Sequence, residues 1–371
     1  MTKKLYALIT GTRPQIIKSV PVLRCAKKEK AIKIIHIFTG QHYDNNLADI
    51  FFQTLALNPP EHQLNVHSGL TDYHIRKIIE KIIPILKEEA LNGIIVPGDT
   101  NSALAGALAG NFLFIPVIHL EAGLRSYDLK MQEELNRRLI DHGSSVLFAP
   151  TRTAVNNLRS ESVLGKVILS GDTMYDLLAS EMDKIRDKTR FKETTKNIEI
   201  YEKDYLVLTI HRRENLNDLN RLKRILKSIG QSKIVSVFPI HPHTKKIINM
   251  SEINIPDNVK MIDPLSYHDF LNLIAFSGLV ITDSGGLQKE AYLLDVPCVT
   301  LRDSTEWVET IEHDTNMIVG SNSELILKAI AAMYAKELKT DKNVYGDGRA
   351  SETIIREITE NNPEIPSIPI L

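Results

Sequence analysis

Short apolar runs alternate with amphipathic helical patterns along nearly the whole sequence, and this alternation restricts the possible folds more than any other feature. It is typical of βαβ units, in which a helix joins two parallel strands of one sheet. The clearest helical pattern covers residues 71–91, where aliphatic residues recur on one face: Ile75, Ile78, Ile79, Ile82, Ile83 and Leu86. The sequence therefore predicts an α/β fold with doubly wound, Rossmann-like parallel sheets.

The alternation falls into two halves, separated by a densely charged stretch at residues 186–204. Because 371 residues exceed what one hydrophobic core usually supports, two domains are expected. We predict a Rossmann-like domain over residues 1–185, a linker over 186–204, a second Rossmann-like domain over 205–349, and a final helix with a tail over 350–371. The predicted strands are 5–10, 33–39, 93–97, 114–120, 146–149 and 166–170 in the first half, and 205–210, 233–239, 259–262, 279–282 and 296–301 in the second.

The composition excludes several classes of protein. With 45 Lys and Arg against 46 Asp and Glu, the net charge is -1, which argues against a general attraction to nucleic acid or anionic membranes. No stretch has the roughly 20 apolar residues of a membrane helix, and the first residues lack the pattern of a signal peptide. Cys25 and Cys298 have neither metal-ligand nor disulfide-framework spacing. We expect a cytoplasmic protein with no metal, no cofactor, and no nucleic-acid or membrane partner.

The first candidate ligand site follows the first predicted strand. Ligands of open α/β sheets bind beyond the carboxyl ends of the strands. Here the segment GTRPQIIK brings Arg13 and Lys18 to the N-terminus of a helix, with Pro14 suited to the first helical turn. This arrangement predicts an anion or phosphate site. The alternative is an ordinary strand-to-helix turn whose two cations are only solvated.

Three carboxylates form the second candidate site. Asp99 and Glu121 each follow a predicted strand, and Glu133 begins the segment EELNRR after a short loop, so all three are expected on one rim of the first sheet. Carboxylates brought together in a partly desolvated site raise one another's pKa, which suits acid/base chemistry near neutral pH.

Simpler interpretations of the same residues remain. Asp99 could be only the N-cap of the next helix. Glu133 and Glu134 could pair with Arg137 and Arg138 on a helix surface at i,i+4 spacing, an interpretation that fits Glu134 better than Glu133. His119 and Glu121 could bind a metal, although two residues apart at a strand end is not a zinc-protease spacing.

Two strands of the second half end in histidines. His211 comes directly after a strand, together with two arginines, and suits a proton donor or a phosphate partner. His241 and His243 follow the next strand on either side of Pro242. They could form a metal pair, but a structural turn is the better interpretation for one of them.

The sharpest motif of the second half is TDSGGLQKEA. Ser284, Gly285 and Gly286 open a helix directly after a strand, so backbone N–H groups and the positive end of the helix dipole are available to a diphosphate. Glu290, more than one turn later, could reach ribose hydroxyls. The motif is neither a Walker A sequence nor a dinucleotide fingerprint.

Ten ordered segments of this chain strongly resemble those of the non-hydrolysing UDP-N-acetylglucosamine 2-epimerases. They are GTRPQIIK, GQHYD, GDTNSALAGALA, HLEAGLRS, EELNRR, FAPT, TIHRREN, PIHPHTK, DSGGLQKEA and LRDSTEWVET. The resemblance implies a GT-B-type architecture with the active site in the interdomain cleft, a C-terminal helix that packs back on the first domain, and a homodimer. It also implies elimination of UDP to a 2-acetamidoglucal and its re-addition, supplying precursors for bacterial-type surface polysaccharide.

Roles for individual residues follow from the resemblance. Those matching the acid/base groups and the group near the leaving phosphate are Asp99, Glu121, Glu133 and His211. Those matching contacts to the UDP-amino sugar are Arg13, Lys18, His241, Ser284, Gly285, Gly286 and Glu290. Residues similar to Gln41 and His42 form an allosteric substrate site in some bacterial members.

The chain departs from the common family pattern at two positions. Gln15 stands in place of a frequent glutamate, and Trp307 in place of an active-site arginine, which removes a cation at the ligand. The tryptophan is similar to the branch that epimerises UDP-2,3-diacetamido-2,3-dideoxyglucuronate, the main competing substrate. A GT-B glycosyltransferase, a hydrolysing epimerase and a catalytically silent sugar-nucleotide sensor are three further functions that would use the same nucleotide site.

Overall fold

The strands form two parallel sheets in a computed structural model that describes residues 3–40, 52–66 and 71–366. Contacts between residues divide the chain into two compact units: unit 1 comprises Met1–Ala179 and Lys342–Leu371, and unit 2 comprises Ser180–Asp341.

Unit 1 contains seven described strands in the order β3-β2-β1-β4-β5-β6-β7. They are β1 (Lys4–Thr10), β2 (Ile32–Phe38), β3 (His62–Gln63), β4 (Gly93–Pro97), β5 (Val117–Leu120), β6 (Val146–Ala149) and β7 (Lys166–Leu169). Their helices are α1 (Arg13–Lys28), α2 (Thr71–Glu88), α3 (Asn101–Phe112), α4 (Gln132–His142), α5 (Arg152–Ser160) and α6 (Thr173–Ser180). The strand order reverses between β1 and β4, as in a doubly wound sheet.

Unit 2 contains six described strands in the order β10-β9-β8-β11-β12-β13, which reverses between β8 and β11. The strands are β8 (Tyr205–Thr209), β9 (Val235–Pro239), β10 (Val259–Ile262), β11 (Leu279–Thr282), β12 (Cys298–Thr300) and β13 (Asn316–Ile318). The helices are α7 (Met182–Ile185), α8 (Lys188–Thr195), α9 (Arg213–Asn217), α10 (Leu219–Ser232), α11 (Pro242–Met250), α12 (Tyr267–Ala275), α13 (Gly285–Leu293), α14 (Val308–Glu312) and α15 (Ser323–Met333). The prediction of two Rossmann-like sheets is confirmed.

The central strands are buried along nearly their whole length. Every residue of β4 and β11 is buried, and β1 is buried from Tyr6 onwards. Because helices cover both faces of such sheets, these strands have continuous apolar runs instead of alternating apolar and polar residues. This explains why the sequence pattern located them well.

The structure differs from the predicted linker at residues 186–204. Part of this charged stretch is helix α8, which packs on α12 within unit 2. Arg190 pairs with Asp269 at 2.6 Å, and Asn272 donates to the carbonyl of Asp187 at 2.9 Å. This stretch therefore makes partly buried contacts that a composition pattern does not reveal.

Smaller differences concern short elements. Strand β5 begins at Val117, three residues later than predicted, and Phe114 has a positive φ of 54° that interrupts extended structure. Strands β3 and β13, of two and three residues, were not predicted because such short runs carry no periodic signal.

The last helix, α16 (Ala350–Glu360), belongs to unit 1 and packs against α1. Its buried isoleucines, Ile354, Ile355 and Ile358, lie in the same apolar cluster as Tyr6. The Tyr6 hydroxyl donates to the carbonyl of Ile358 at 2.7 Å. A segment far away in the sequence therefore completes the first core. Across the described ranges, no helix combines the length and apolarity needed to span a membrane.

Candidate active site

Asp99 and Glu121 lie at neighbouring strand ends beside the switch point of the first sheet. Strands β4 and β5 pair in parallel with Pro97 opposite Leu120, so the residues that follow them share one edge. The amide of Gly98 donates to the carbonyl of Leu120 at 2.9 Å, which continues this pairing up to the two carboxylates. The structure thus brings together two of the three predicted acid/base residues.

The side chain of Lys18, from α1, lies beside these two carboxylates and forms an ion pair with Glu121. Burial would lower the pKa of Lys18, but the carboxylates of Glu121 and Asp99 outweigh it and raise that pKa. The expectation of carboxylates that repel one another therefore needs correction, because a cation lies among them. Lys18, predicted as a UDP contact, is engaged by Glu121.

The backbone around this ion pair is tightly constrained. Glu121 has a positive φ of 67°, which is uncommon for a residue with a side chain. Gly98 has the same φ of 67°, and a Cβ there would lie 2.9 Å from Lys18 Nζ. A side chain at Gly98 would be strained at this φ and would press on the Lys18 ammonium group.

Asp99 is not the N-cap of α3. That role belongs to Thr100, whose hydroxyl accepts from the amide of Ala103 at 3.3 Å. The Asp99 carboxylate instead accepts from Arg137, with Nε at 2.9 Å and Nη2 at 2.8 Å from Oδ2. The simple capping interpretation is therefore wrong, and an arginine from α4 holds the carboxylate.

The predicted pairing along α4 occurs, but not on the surface. Glu134 contacts Arg137 at 3.0 Å and Arg138 at 3.2 Å, and its side chain is fully buried. Glu133 lies half-buried in the first turn of α4. Its place among the acid/base groups stays a prediction.

His119 is held inside unit 1 by two hydrogen-bond acceptors. Nδ1 lies 2.6 Å from Asp141 Oδ1, and Nε2 lies 2.9 Å from the carbonyl of Gly98. Burial would raise the pKa of Asp141, but His119 and Arg125 hold it below its ordinary value. Because both ring nitrogens already lie against protein oxygen atoms, His119 has no nitrogen directed at a metal ion. The metal interpretation of His119 with Glu121 is wrong on this geometry.

The GTRPQ segment turns tightly at the end of β1. Gln15, buried, accepts from the amide of Gly11 at 2.8 Å and donates to the carbonyl of Pro97 at 2.8 Å. It thereby joins the ends of β1 and β4. Arg13 is half-buried at the first position of α1, whose first turn has no acidic residue, an arrangement that suits an anion.

In unit 2, a buried aspartate organises the switch point between β8 and β11. Asp283 accepts from the amides of His211 and Arg212 at 3.1 and 3.0 Å and from Asn215 Nδ2 at 2.9 Å. Its Oδ1 lies 3.0 Å from His211 Nδ1. Burial would raise the pKa of Asp283, but His211 and the other donors lower it.

This contact fixes the orientation of His211. With Nδ1 directed at a carboxylate, Nε2 points away from Asp283, and about half of the His211 side chain is exposed. This leaves Nε2 free of Asp283, and the role of His211 as a proton donor or phosphate partner stays a prediction.

Ser284 begins helix α13 as expected from the motif. Its hydroxyl accepts from the amide of Leu287 at 3.4 Å, and the glycines that follow form the first turn. A Cβ on Gly285 would lie 2.0 Å from Glu306 Oε1, so the absence of a side chain is required by this neighbour. Glu306 pairs with Arg302 at 2.8 Å.

Two further residues predicted to contact the ligand lie in unit 2, one at the N-terminus of a helix and one inside the protein. His241 is the N-cap of α11, and its Nδ1 accepts from the amide of His243 at 3.2 Å, as in a structural turn around Pro242. Glu290 is buried in the second turn of α13. No group of three or more His, Cys, Asp or Glu suited to a metal ion occurs among the described residues.

Trp307 is buried and contacts a cation. Lys289 Nζ lies 4.1 Å from the centre of its indole ring, within the range of a cation–π interaction. The expectation that Trp307 simply removes a positive charge therefore needs correction. Gln41 and His42, and the remainder of the GQHYD motif after Gly40, lie outside the described residues.

Sequence reasoning missed two residues that hold candidate catalytic groups. Asp283 was visible in the TDSGG motif, directly between a strand and the glycines. Arg137 was visible in the segment EELNRR, but its predicted partner was Glu133 on the same helix. A strand-end aspartate ahead of a glycine turn is the signal that identifies the first; the second required the fold.

Comparisons with known proteins agree with this geometry. The family model described as UDP-N-acetylglucosamine 2-epimerase matches residues 24–359. A UDP-N-acetylglucosamine 2-epimerase of Methanocaldococcus jannaschii is 42% identical over 366 residues, covering 95% of this chain and 98% of that protein. A UDP-2,3-diacetamido-2,3-dideoxy-D-glucuronate 2-epimerase of Pseudomonas aeruginosa is 37% identical, covering 93% and 97%.

The similarity extends to three dimensions. The crystal structure of the M. jannaschii UDP-GlcNAc 2-epimerase in complex with UDP-GlcNAc and UDP superposes with a TM-score of 0.90 at 39% identity, covering 96% of this chain and 100% of that one. The predicted GT-B-type fold of two Rossmann-like domains is thereby confirmed.

Proposed function

Because this chain belongs to the UDP-N-acetylglucosamine 2-epimerase family, we propose that it interconverts UDP-N-acetylglucosamine and UDP-N-acetylmannosamine by eliminating and re-adding UDP. The observation that carries the proposal is the meeting of Asp99 and Glu121 around Lys18 at the switch point of the first sheet. Inversion at C2 requires groups that remove and return a proton, and carboxylates held by cations can do both.

The elimination step needs a base for the C2 proton and a stabilised leaving group. A carboxylate of unit 1, from Asp99, Glu121 or Glu133, removes the C2 proton, the C1–O bond to the β-phosphate breaks, and a C1=C2 double bond forms as UDP leaves. The leaving diphosphate gains negative charge. The N-terminus of α13 at Ser284 and the outward nitrogen of His211 are suited to stabilise it.

Re-addition reverses these events, except that the proton arrives on the opposite face of C2. A carboxylic acid of unit 1 returns a proton to C2 while the β-phosphate oxygen of UDP attacks C1, so the overall reaction consumes no water and no redox equivalent. We assign contacts with the UDP-sugar to Arg13, Lys18, His241, Gly285, Gly286 and Glu290 as well, by their match to the family pattern. We keep the second domain, within residues 205–349, as the UDP-binding one.

The test is incubation with UDP-N-acetylglucosamine in D2O, with C2 followed by NMR. Deuterium at C2 in an intact UDP-sugar, with both epimers present, is the expected result. Release of free sugar would indicate a hydrolysing epimerase instead. Sugar transfer to an added acceptor without C2 exchange would indicate a glycosyltransferase, and binding without any reaction would indicate a sensor.

A second substrate is favoured by one observation, the buried Trp307 with Lys289 where the family pattern has an arginine. The P. aeruginosa relative is named for UDP-2,3-diacetamido-2,3-dideoxy-D-glucuronate. Deuterium exchange at C2 of that sugar, without exchange in UDP-N-acetylglucosamine, would identify it as the substrate instead.

The homodimer expected from the resemblance has a candidate surface on unit 1. Leu135 and Leu139, one turn apart on α4, are about half exposed, and Phe114 after α3 is 81% exposed. The ends of the two helices are adjacent, because a Cβ on Gly143 would lie 2.7 Å from Asn111 Nδ2. Exposed apolar side chains on neighbouring helices suit a protein partner, and we propose that this partner is a second copy of the chain.

Light scattering tests the dimer. Leu135→Glu with Leu139→Glu should halve the mass in solution, whereas Leu164→Glu, at another exposed leucine, should not. A monomeric wild-type protein would refute the proposal. Both cysteines are free thiols, which supports the cytoplasm as the place where the enzyme supplies precursors for surface polysaccharide.

A further inference from the structure

Asp99 is held at both its side chain and its backbone by α4. Arg137 binds the carboxylate through Nε and Nη2, and Asn136 Nδ2 donates to the Asp99 carbonyl at 2.8 Å. Arg137 is itself almost fully buried. An arginine buried beside a single carboxylate would leave its charge and remaining N–H groups poorly satisfied, so a second anion is needed.

Glu134 supplies that anion. Its Oε2 accepts from Arg137 Nη1 at 3.0 Å and from the amide and hydroxyl of Ser126 at 2.8 and 3.2 Å, and Oε1 accepts from Arg138 Nε at 3.2 Å. The carboxylate is fully buried yet satisfied on both oxygens. It therefore fixes the plane of the Arg137 guanidinium and balances its charge.

The contacts continue away from Asp99 through alternating charges. Arg138 Nη1 lies 3.1 Å from Glu161 Oε1. Glu161 in turn binds Arg125 through two hydrogen bonds of 2.9 and 2.7 Å, and Arg125 lies 2.7 Å from Asp141. Paired charges of this kind hold one another in fixed orientations.

The series returns to its starting point. Asp141 contacts His119, and His119 Nε2 lies 2.9 Å from the carbonyl of Gly98, the residue before Asp99. We call the members the charge ring: Asp99, Arg137, Glu134, Arg138, Glu161, Arg125, Asp141, His119 and the Gly98 carbonyl. It anchors the Asp99 side chain at one end and the preceding backbone at the other.

We propose that Glu134 is a positioning residue for the epimerase reaction, which acts through Arg137 to set the orientation and proton affinity of Asp99. This rests on the proposed function, in which Asp99 moves a proton at C2. With Glu134 present, the guanidinium charge is shared between two carboxylates; without it, the full charge acts on Asp99. Other charged groups near Asp99 include Lys18 on α1 and, around that lysine, Glu121 and Asp172.

The experiment compares Glu134→Gln and Glu134→Asp with wild type by 13C NMR titration of the Asp99 carboxyl, assigned with Asp99→Asn. In E134Q the titration midpoint should fall by about one pH unit, because an opposite charge becomes unshared. The limb of the kcat–pH profile that depends on Asp99 ionisation should shift to lower pH together with this midpoint. kcat should drop about tenfold or more while KM stays within about threefold. E134D, which keeps the charge, should titrate within about 0.3 unit of wild type.

Glu80→Gln is the matched control, since Glu80 pairs with Arg76 and Lys77 on the surface outside the charge ring. It should change neither the titration nor kcat. If E134Q does not fold, Glu161→Gln replaces it in the experiment, because Glu161 is partly exposed and lies further along the charge ring. In that variant the titration midpoint of Asp99 should also fall, by a smaller amount than expected for E134Q.

An unchanged Asp99 midpoint in the folded variant, with only thermal stability lost, would overturn the proposal and leave Glu134 a structural residue. The titration needs no substrate. Its failure is therefore distinct from failure of the proposed function, which would show as no C2 exchange by the wild-type protein.

Discussion

The ammonium group of Lys289 lies 4.1 Å from the centre of the Trp307 ring, and both side chains are buried. Trp307 occupies the position where the family pattern has an active-site arginine. This region of unit 2 therefore still contains a positive charge, which belongs to Lys289 on a neighbouring helix and is covered by the indole ring. Charge and shape at this position have therefore changed together.

Trp307→Arg should destabilise unit 2, because it places a second cation against buried Lys289. We expect the free energy of unfolding to fall by about 3 kcal/mol or more. Adding Lys289→Glu should recover at least about 1 kcal/mol relative to the sum of the single changes, since an opposite charge restores a pair. A double-mutant cycle by urea unfolding, followed by circular dichroism, measures this coupling. Strict additivity of the two changes would contradict the contact.

Gln15→Glu should make stability depend on pH. An ionised carboxylate can accept from Gly11 but cannot donate to the Pro97 carbonyl, which should cost about 1–3 kcal/mol at pH 8. The protonated acid can donate, so the pKa of this glutamate would be raised in the folded state, and the loss should shrink as the pH falls toward 5. Melting temperatures between pH 5 and 8 test this. Gln15→Leu, which loses both contacts, should show a deficit independent of pH.

Asp283→Asn should impair catalysis through His211. The amide would present hydrogens to backbone and Asn215 donors and would no longer hold His211 Nδ1–H. We expect the rate of deuterium incorporation at C2 to fall about 100-fold or more, with a smaller change in UDP affinity by calorimetry. His211→Asn serves as the comparison. An Asp283→Asn enzyme with wild-type exchange would remove His211 orientation from the mechanism.

His36 should make folding weaker in mildly acidic solution. Burial lowers the pKa of His36 to about 4 from the ordinary 6.5. The unfolded chain therefore takes up a proton between these pH values that the folded chain does not. Stability is full above pH 6.5 and declines as the pH falls toward 4, by about 3 kcal/mol in total.

Replacement of His36 identifies this contribution. The Thr10 hydroxyl lies 2.7 Å from Nε2 of His36, and a glutamine side chain can replace this hydrogen-bond partner. His36→Gln should therefore show a shallower fall of melting temperature between pH 6.5 and 4. His62→Gln is the control, because His62 on β3 is only partly buried. Equal slopes for wild type and His36→Gln would disprove the assignment.

The sequence located the candidate groups better than it located their partners. Asp99 and Glu121 could be brought together because both follow strands of one parallel sheet, and strand ends share an edge. The partner of Glu121 is Lys18, 103 residues earlier. That contact depends on the position of α1 over the sheet, which no local pattern encodes.

The i,i+4 rule has the same limit. It correctly paired Glu134 with Arg138, because both lie on one helix, but it could not show that these charges are buried or that Arg137 would bind Asp99, 38 residues away. Burial of a charge depends on what covers it, and Ser126 and Glu161 arrive from other parts of the chain.

Helix α16 has a consequence for how the protein is made. Unit 1 needs residues from both ends of the chain, whereas unit 2 is one continuous segment. At ordinary translation speeds, roughly ten to thirty seconds separate synthesis of the last residues of Met1–Ala179 from that of α16. During this interval the apolar surface around Tyr6 lacks its cover and is open to chaperones or to misassociation. The unit that comes second in the sequence is thus the first that can be completed on the ribosome.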